Sequence, residues 1–119
     1  MEPLTVSGLN AALHELLGLH FSAVSVRGEL GQLQVASSGH AYLTLRDNKG
    51  SLSAICWRTN WASLRYRPKA GEQVICRGRI GVYSPQGRYQ LYVTHIEPAG
   101  EGALAKELAA RKARLEAEG

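Results

Sequence analysis

The sequence contains no motif of the kind that builds a common enzyme active site. It lacks a GxSxG nucleophile elbow, an HExxH metal pair and a GxxxxGK phosphate loop. Carboxylates are also scarce in the middle of the chain, where Glu29, Asp47 and Glu72 are far apart. A two-metal nuclease site needs clustered carboxylates, so we expect no catalytic residue, no metal site and no cofactor in this chain.

Cysteines and long apolar runs are scarce as well. Cys56 and Cys76 are the only two cysteines, and neither belongs to a CxxC pair. Both lie in apolar, strand-like runs, which predicts buried thiols and argues against a disulfide or a zinc site. No apolar run is long enough to cross a bilayer, and the N-terminus lacks the basic region of a signal peptide. We therefore expect a soluble, cytoplasmic chain without a membrane partner.

Positive charge, by contrast, is concentrated in one segment. The net charge is only +4, but residues 22–95 contain ten Lys and Arg residues against three acidic ones. Together with a pI near 9.3, this basic segment indicates a polyanionic partner.

Apolar residues that alternate with polar ones predict five β-strands in the middle of the chain. These strands are centred on residues 24–27, 40–46, 52–57, 74–82 and 88–93. The turn Ser84-Pro85-Gln86-Gly87 joins the last two, and a short helix is predicted over residues 60–66. Gly28, Gly78 and Gly81 interrupt strands, as the corners of small closed barrels require. We therefore predict a mainly β fold, a five-stranded Greek-key OB-fold barrel, with an SH3-like barrel as the alternative.

Helices are predicted at both ends of this barrel. Ser7 is the expected cap of a first helix that runs to about Gly18 and packs against the barrel. Its apolar face is formed by Leu9, Leu13, Leu16 and Leu17. After a break rich in Pro and Gly, residues 103–118 have strong helix propensity. The chain is thus divided into a binding domain with its N-terminal helix, residues 1–102, and a connector helix, residues 103–119.

Basic and aromatic side chains share the predicted outer face of several strands. Aromatic rings stack on bases and guanidinium groups hold phosphates, so such a face suits a single nucleic-acid strand with splayed bases. The faces of the third strand are ambiguous, because Ile55 and Trp57 oppose Ala54 and Cys56 and all four are apolar. Trp61, on the short helix, is expected to plug the barrel end. The predicted binding residues are Arg27, His40, Tyr42, Arg46, Trp57, Arg58, Arg77, Arg79, Tyr83, Arg88 and Tyr92.

Residues 37–47 have the sequence SSGHAYLTLRD, in which the pattern SSGH-Y-TL-D is distinctive. Further segments with distinctive sequences follow the same order along the chain, at residues 4–10, 78–80, 89–91 and 97–104. Together these segments resemble the exodeoxyribonuclease VII large subunit, and the resemblance covers nearly the whole chain. Ala41 departs from the pattern, since a bulky aromatic residue is common at that position in the family.

The resemblance implies an OB-fold domain that binds single-stranded DNA. In that family a catalytic region follows this domain, and the whole hydrolase degrades single-stranded DNA to oligonucleotides as an exonuclease with a small subunit as partner. The implied role of this chain is substrate binding, with the small subunit bound by regions outside it. An RNA-binding OB module and a protein-interaction barrel are the alternatives. A stand-alone enzyme is disfavoured by the missing carboxylate cluster.

Overall fold

The computed structural model describes residues 2–83 and 85–100. Within these ranges the elements are α1 (Val6–His20), β1 (Val24–Val35), β2 (Ala41–Arg46), β3 (Ser51–Cys56), α2 (Arg58–Ser63), β4 (Gln73–Tyr83) and β5 (Arg88–Pro98). The connector helix predicted over residues 103–119 lies outside the described residues. Neither helix in the described ranges is both long and apolar enough to cross a membrane.

The five strands form a closed barrel in the order β1-β2-β3-β5-β4, with β4 pairing back to β1. Every neighbouring pair is antiparallel except β3 and β5, which are parallel over Ala54 and Ile55. Helix α2 lies in the connection between β3 and β4. This topology confirms the predicted five-stranded barrel of the OB type.

Strand β1 is eight residues longer than the predicted strand at residues 24–27. Its first half pairs with β4, and its second half, beyond a register shift between Leu30 and Gln32, pairs with β2. One bent strand therefore belongs to both sides of the barrel. A second register shift between Arg77 and Gly78 bends β4 against β5. Gly78 is required there, because a Cβ atom at this position would overlap the carbonyl group of Tyr92.

Apolar side chains from all five strands fill the barrel interior. The largest of the fully buried side chains are Leu30, Val74, Leu91, Val93, Cys56 and Cys76. Burying a large aliphatic side chain stabilises the fold by about 1.5–3 kcal/mol. Both cysteines are free thiols, as predicted. Burial raises the pKa of Cys56 to about 11 and that of Cys76 to about 12.

Helix α2 begins two residues before the predicted helix and ends at Ser63, because Leu64 adopts an extended backbone. Trp61 and Leu64 pack against the barrel core. The prediction that Trp61 serves packing is therefore confirmed.

Helix α1 is capped by Thr5, so the prediction of Ser7 as the cap is wrong. The side-chain oxygen of Thr5 accepts a hydrogen bond from the N–H of Gly8 at 2.9 Å. The helix begins at Val6 and extends to His20, two residues beyond the predicted end. Ser7 thus lies within the first turn, where it cannot cap the helix.

Two hydrogen bonds join β4 to α1 and to the residue that follows it. The N–H of Val82 donates to Nδ1 of His14 at 3.0 Å, and the N–H of Ile80 donates to the carbonyl oxygen of Phe21 at 3.0 Å. None of the helix residues is buried. Of the four leucines that were expected to pack against the barrel, only Leu17 is half-buried, whereas Leu9, Leu13 and Leu16 are exposed. The predicted packing of this apolar face is wrong for those three residues.

Candidate nucleic-acid interface

One row of outward-facing side chains crosses all five strands, and we call it the cross-strand row. Neighbours in this row are partners in the strand register. Its members are Gln34 on β1, Tyr42 on β2, Ile55 on β3, Tyr92 on β5 and Arg79 on β4. Side chains paired in this way on antiparallel strands lie about 4.5–5.5 Å apart at Cβ, so the row forms a band across the five strands from Gln34 to Arg79.

The cross-strand row borders an open groove with a volume of about 860 Å³. Polar residues of β1, β2 and β3 line one part of it, including Gln32, Thr44 and Ser53. Aromatic and basic side chains line the rest. These are Tyr42, Trp57, Tyr83, Arg88, Tyr89 and Tyr92.

The structure decides which face of β3 points outward. Ala54 and Cys56 belong to the core, whereas Ile55 lies between Tyr42 and Tyr92 in the cross-strand row. Ile55 lines the groove but is only 4 % exposed, so it forms part of the groove floor. Trp57, directly after the strand, is 40 % exposed and also lines the groove. Trp57 therefore faces solvent, which the sequence left open.

Three planar groups are stacked at one end of the cross-strand row. The ring centroids of Trp57 and Tyr92 are 6.0 Å apart with an angle of 27° between the planes. The guanidinium carbon of Arg79 lies 4.4 Å from the centroid of the Tyr92 ring, in a cation–π contact. A guanidinium that stacks in this way still has its in-plane N–H groups available for a phosphate. Tyr92 therefore contacts both a large exposed indole and an exposed guanidinium group.

Gly81 leaves the space that the Tyr92 ring occupies. A Cβ atom at Gly81 would lie 2.6 Å from Cε2 of Tyr92 and 2.9 Å from Cε1 of His14. Only glycine fits between these two rings without displacing one of them. The glycine that the sequence indicated as a strand interruption thus positions a groove residue.

His40 contacts the groove through Trp57. Its ring meets the indole edge-on, with centroids 4.9 Å apart and an interplanar angle of 81°. Its Nδ1 atom accepts a hydrogen bond from the N–H of Arg58 at 2.9 Å, which leaves the ring proton on Nε2 in the neutral form. His40 therefore holds Trp57 and the start of α2 in place.

Several of the predicted binding residues are brought together at the groove. Tyr42, Trp57, Tyr83, Arg88 and Tyr92 line it, Arg79 stacks on Tyr92, and His40 supports Trp57.

Four of the predicted arginines lie elsewhere. Nε of Arg77 donates to Oε1 of Glu97 at 2.7 Å, and Arg46 forms a longer ion pair with Glu29 at 3.5 Å. Arg27 lines a small depression together with Arg46, away from the groove. Arg58 lines a separate concavity together with Trp61 and Arg67.

Sequence reasoning missed several residues of the groove and its support. Tyr89 shares the alternation of the buried Leu91, but it lies near the hairpin end of β5 and is 62 % exposed. Gln34 was missed because β1 was predicted to end too early. His14 was not among the predicted binding residues, and its ring lies beside Gly81 and accepts a hydrogen bond from the N–H of Val82. Only the proximity of α1 to β4, which the sequence does not show, identifies this contact.

The charge around the groove is uncompensated within the described ranges. None of the described residues that line the groove is acidic. Neither Arg79 nor Arg88 forms an ion pair with any acidic residue in residues 2–83 and 85–100. The same part of the chain holds no group of three His, Cys, Asp or Glu residues that could bind a metal ion. The arrangement combines exposed aromatic rings with unpaired arginines, which suits a single-stranded polyanion with planar bases.

Comparisons with known proteins agree with this geometry. Residues 4–97 match the family described as OB-fold nucleic acid binding domain. The chain is 44 % identical over 115 residues to the exodeoxyribonuclease 7 large subunit of Pseudoalteromonas translucida (strain TAC 125). It is 43 % identical over 116 residues to the protein of the same name from Stenotrophomonas maltophilia (strain R551-3). These matches cover 97 % and 98 % of this chain, but the chain spans only 26 % of each relative.

Solved structures with low sequence identity share the fold. A chain of the S. pombe Stn1–Ten1 complex aligns with a TM-score of 0.56 at 18 % identity, covering 81 % of this chain and 70 % of that one. A chain of a replication protein A heterotrimer bound to ssDNA aligns with a TM-score of 0.54 at 13 % identity, covering 80 % of this chain and 73 % of that one. At such identities the likeness concerns the fold alone.

Proposed function

Since this chain belongs to the family of OB-fold nucleic acid binding domains, we propose that its groove binds single-stranded DNA. We further propose that it does so as the substrate-binding domain of an exodeoxyribonuclease VII large subunit. The similarity to part of two proteins of that name supports the choice of DNA over RNA.

The stack of Trp57, Tyr92 and Arg79, in a groove whose described lining contains no acidic residue, is the observation that carries the proposal. Tyr92 is half-buried and lies between the other two groups, so its main role is support. Trp57 and Tyr42 are more exposed and offer ring faces to bases. Stacking on such a ring is worth roughly 1–3 kcal/mol per base and depends little on the base sequence. A duplex binds less well, because its bases are already stacked on one another.

Arg79 and Arg88 supply the phosphate contacts in this proposal. Both lie in the hairpin of β4 and β5, and neither has an acidic partner among the described residues. Each phosphate that they neutralise releases a counterion, which contributes a slope of roughly 0.7 to the salt dependence for a single strand.

We propose that hydrolysis is carried out by another part of the full-length protein. The chain spans about a quarter of its curated relatives, and its described residues hold no cluster of carboxylates suited to a metal ion. We propose that the catalytic region and the contacts with the small subunit lie outside this chain, and that the whole enzyme acts in the cytoplasm.

Fluorescence anisotropy with labelled oligonucleotides tests the proposal. The purified chain is titrated with single-stranded DNA, then competed with duplex DNA and with RNA of the same sequence, at several salt concentrations. We expect single-stranded DNA to bind best and its affinity to fall as salt rises. Duplex that competes as well as single strand would overturn the proposal. Stronger binding to RNA would support the RNA-binding OB module, and binding whose affinity does not change with salt would indicate a protein-interaction barrel.

A nuclease assay tests the assignment of catalysis to another region. Labelled single-stranded DNA is incubated with the purified chain, with and without magnesium. We expect intact DNA in both cases. Cleavage that stays with the chain through successive purification steps would contradict the assignment.

A further inference from the structure

A second concavity adjoins the groove. It has a volume of about 430 Å³, and its lining includes Val35, Gly39, Arg58, Trp61 and Arg67. We call it the Arg58–Arg67 pocket. Two chain segments line both cavities with consecutive residues. At the end of β1, Gln34 lines the groove and the next residue lines the pocket, and the same holds for Trp57 and the residue after it at the start of α2.

The chemistry of this pocket repeats that of the groove. The guanidinium carbon of Arg67 lies 5.0 Å from the ring centroid of Trp61, in a second cation–π contact. Val35 contributes an apolar wall and is 49 % exposed. None of the described residues that line the pocket is acidic, and neither of its arginines forms an ion pair within the described ranges. Two unpaired cations thus lie beside an aromatic ring and an exposed apolar side chain.

Local backbone structure holds the pocket and the groove together. Gly39 has a positive φ of 91°, and a Cβ atom there would lie 3.1 Å from Cβ of Arg58. The loop between β1 and β2 therefore lies close against the start of α2. His40, in the same loop, accepts the hydrogen bond from the N–H of Arg58 and contacts Trp57. One residue thus fixes an edge of each cavity.

We propose that the Arg58–Arg67 pocket is a second nucleotide subsite, which binds the part of the single strand that extends beyond Trp57. Arg58 and Arg67 hold phosphates there, and a base packs against Val35. This inference rests on the proposed function, because it extends the same binding path. It makes a separate claim, however, about how long a DNA strand must be to reach every contact.

An oligonucleotide length series separates the two cavities. The affinity of the parent chain is measured for oligothymidylates of increasing length, and then for Arg67→Ala and Arg58→Ala. We expect each variant to bind the shortest oligomers like the parent and to bind long oligomers roughly fivefold more weakly, as for one exposed charge pair. The salt slope for long oligomers should flatten by roughly 0.7 in each variant.

Arg65→Ala is the matched control. Arg65 is an exposed arginine two residues from Arg67, but it lines a different concavity, together with Tyr66 and Glu97. Arg65→Ala loses the same charge as Arg67→Ala, and we expect it to bind oligomers of every length with the affinity of the parent. Arg67→Lys keeps the charge without the planar group, and we expect it to retain most of the salt slope.

Three outcomes would overturn the subsite. Equal losses for Arg65→Ala and Arg67→Ala would mean that only net charge matters. Equal losses of affinity for short and long oligomers in both pocket variants would mean that these arginines contact the DNA already bound in the groove. Parental binding by both pocket variants at every length would show that DNA does not reach the pocket. In all three cases the parent still binds single-stranded DNA, so the proposed function survives. If the parent itself fails to bind, both proposals fail.

Discussion

Arg77 and Arg79 lie two residues apart on β4, and both are exposed, yet their surroundings differ completely. Arg77 donates to the carboxylate of Glu97, whereas Arg79 stacks on the ring of Tyr92. The register shift between Arg77 and Gly78 separates the two environments, because it changes which part of β5 lies beside each residue. An arginine available for a polyanion is therefore identified by its neighbour on the adjacent strand, and not by its own exposure.

The same contrast holds for larger parts of the barrel. Away from the groove, Glu29 and Glu97 form ion pairs with Arg46 and Arg77. Glu72 accepts hydrogen bonds from the hydroxyl of Tyr66 at 2.6 Å and from the N–H of Lys69 at 2.8 Å. We call these residues and their partners the paired region. The polar groups of the paired region contact one another, whereas Arg79 and Arg88 at the groove form no ion pair with any described residue.

Loss of Trp57 should give the largest effect on binding. We expect Trp57→Ala to weaken binding to single-stranded DNA by roughly 1–3 kcal/mol, because one stacking platform is removed. The salt slope should stay nearly unchanged, since stacking releases no counterions. Anisotropy titrations across a salt series measure both quantities. Trp57→Phe, which keeps a smaller ring, is the control and should recover part of the loss; equal losses in the two variants would contradict a stacking role.

Gly81→Ala tests whether the groove depends on the position of the Tyr92 ring. The new methyl group would overlap the rings of Tyr92 and His14, so we expect a loss of roughly 1–3 kcal/mol in the free energy of unfolding, and weaker DNA binding. Gly18→Ala is the control, because no atom lies within 4 Å of the added group. It should stabilise α1 by roughly 0.5–1 kcal/mol and leave binding unchanged. Chemical denaturation measures the free energy of unfolding and anisotropy measures the DNA affinity. Equal values for the two variants would contradict the expectation.

Tyr66→Phe tests the paired region, and it should alter stability without altering binding. Near pH 7 we expect the free energy of unfolding to fall by about 1 kcal/mol, the typical net contribution of one hydrogen bond. DNA affinity should match that of the parent, because Tyr66 lies outside the groove. A clear loss of affinity in the folded variant would contradict the separation of the two regions.

The pH dependence of the same variant has a definite sign. Burial and, to a smaller extent, the hydrogen bond with Glu72 raise the pKa of Tyr66 above its usual range. In the unfolded chain this tyrosine ionises near pH 10, whereas in the folded protein it resists ionisation. Its contribution to stability is therefore complete below about pH 10 and is lost as the pH rises further. Denaturation from pH 8 to 11 should show the gap between the parent and Tyr66→Phe narrowing above pH 10, and a constant gap would contradict this.

The comparison of Arg79 with Arg77 gives the smallest expected effect. We expect Arg79→Ala to weaken binding by about 1 kcal/mol or less and to flatten the salt slope by roughly 0.7, as for one phosphate contact. Arg77→Ala removes an equal charge from the same strand, but it should leave both quantities almost unchanged, because Glu97 already neutralises Arg77. Equal effects in the two variants would show that charge alone governs binding.

Much of the groove was predictable from alternation along the strands. The residues Arg79, Tyr83, Arg88 and Tyr92 face away from the core because Val82, Leu91 and Val93 alternate with them and are buried. That they contact DNA stays a prediction. The inner and outer faces of β3 were not predictable, because apolar side chains occur on both of them. Alternation along the strand then does not distinguish the buried face from the exposed one.

Contacts between distant segments were also not predictable from the sequence. The ion pair of Arg77 with Glu97 joins residues twenty positions apart, and the hydrogen bond of His14 with Val82 joins residues sixty-eight positions apart. Neither pairing has a local signature. The leucines of α1 show the opposite error, because packing was predicted for them and three of them are exposed. An amphipathic pattern predicts a buried face but does not show what covers it.

By itself, the sequence determined the features that depend on neighbouring residues: the strands, the hairpin turn, the buried thiols and the concentration of positive charge. Local alternation and propensity decide these, because successive side chains on a strand must point to opposite faces. Only the tertiary structure decided that Arg77 and Arg46 form ion pairs, that Trp57 faces solvent and that Gly81 makes room for Tyr92. These features depend on the strand register and on the closure of the barrel, which bring distant residues to within a few ångströms of one another.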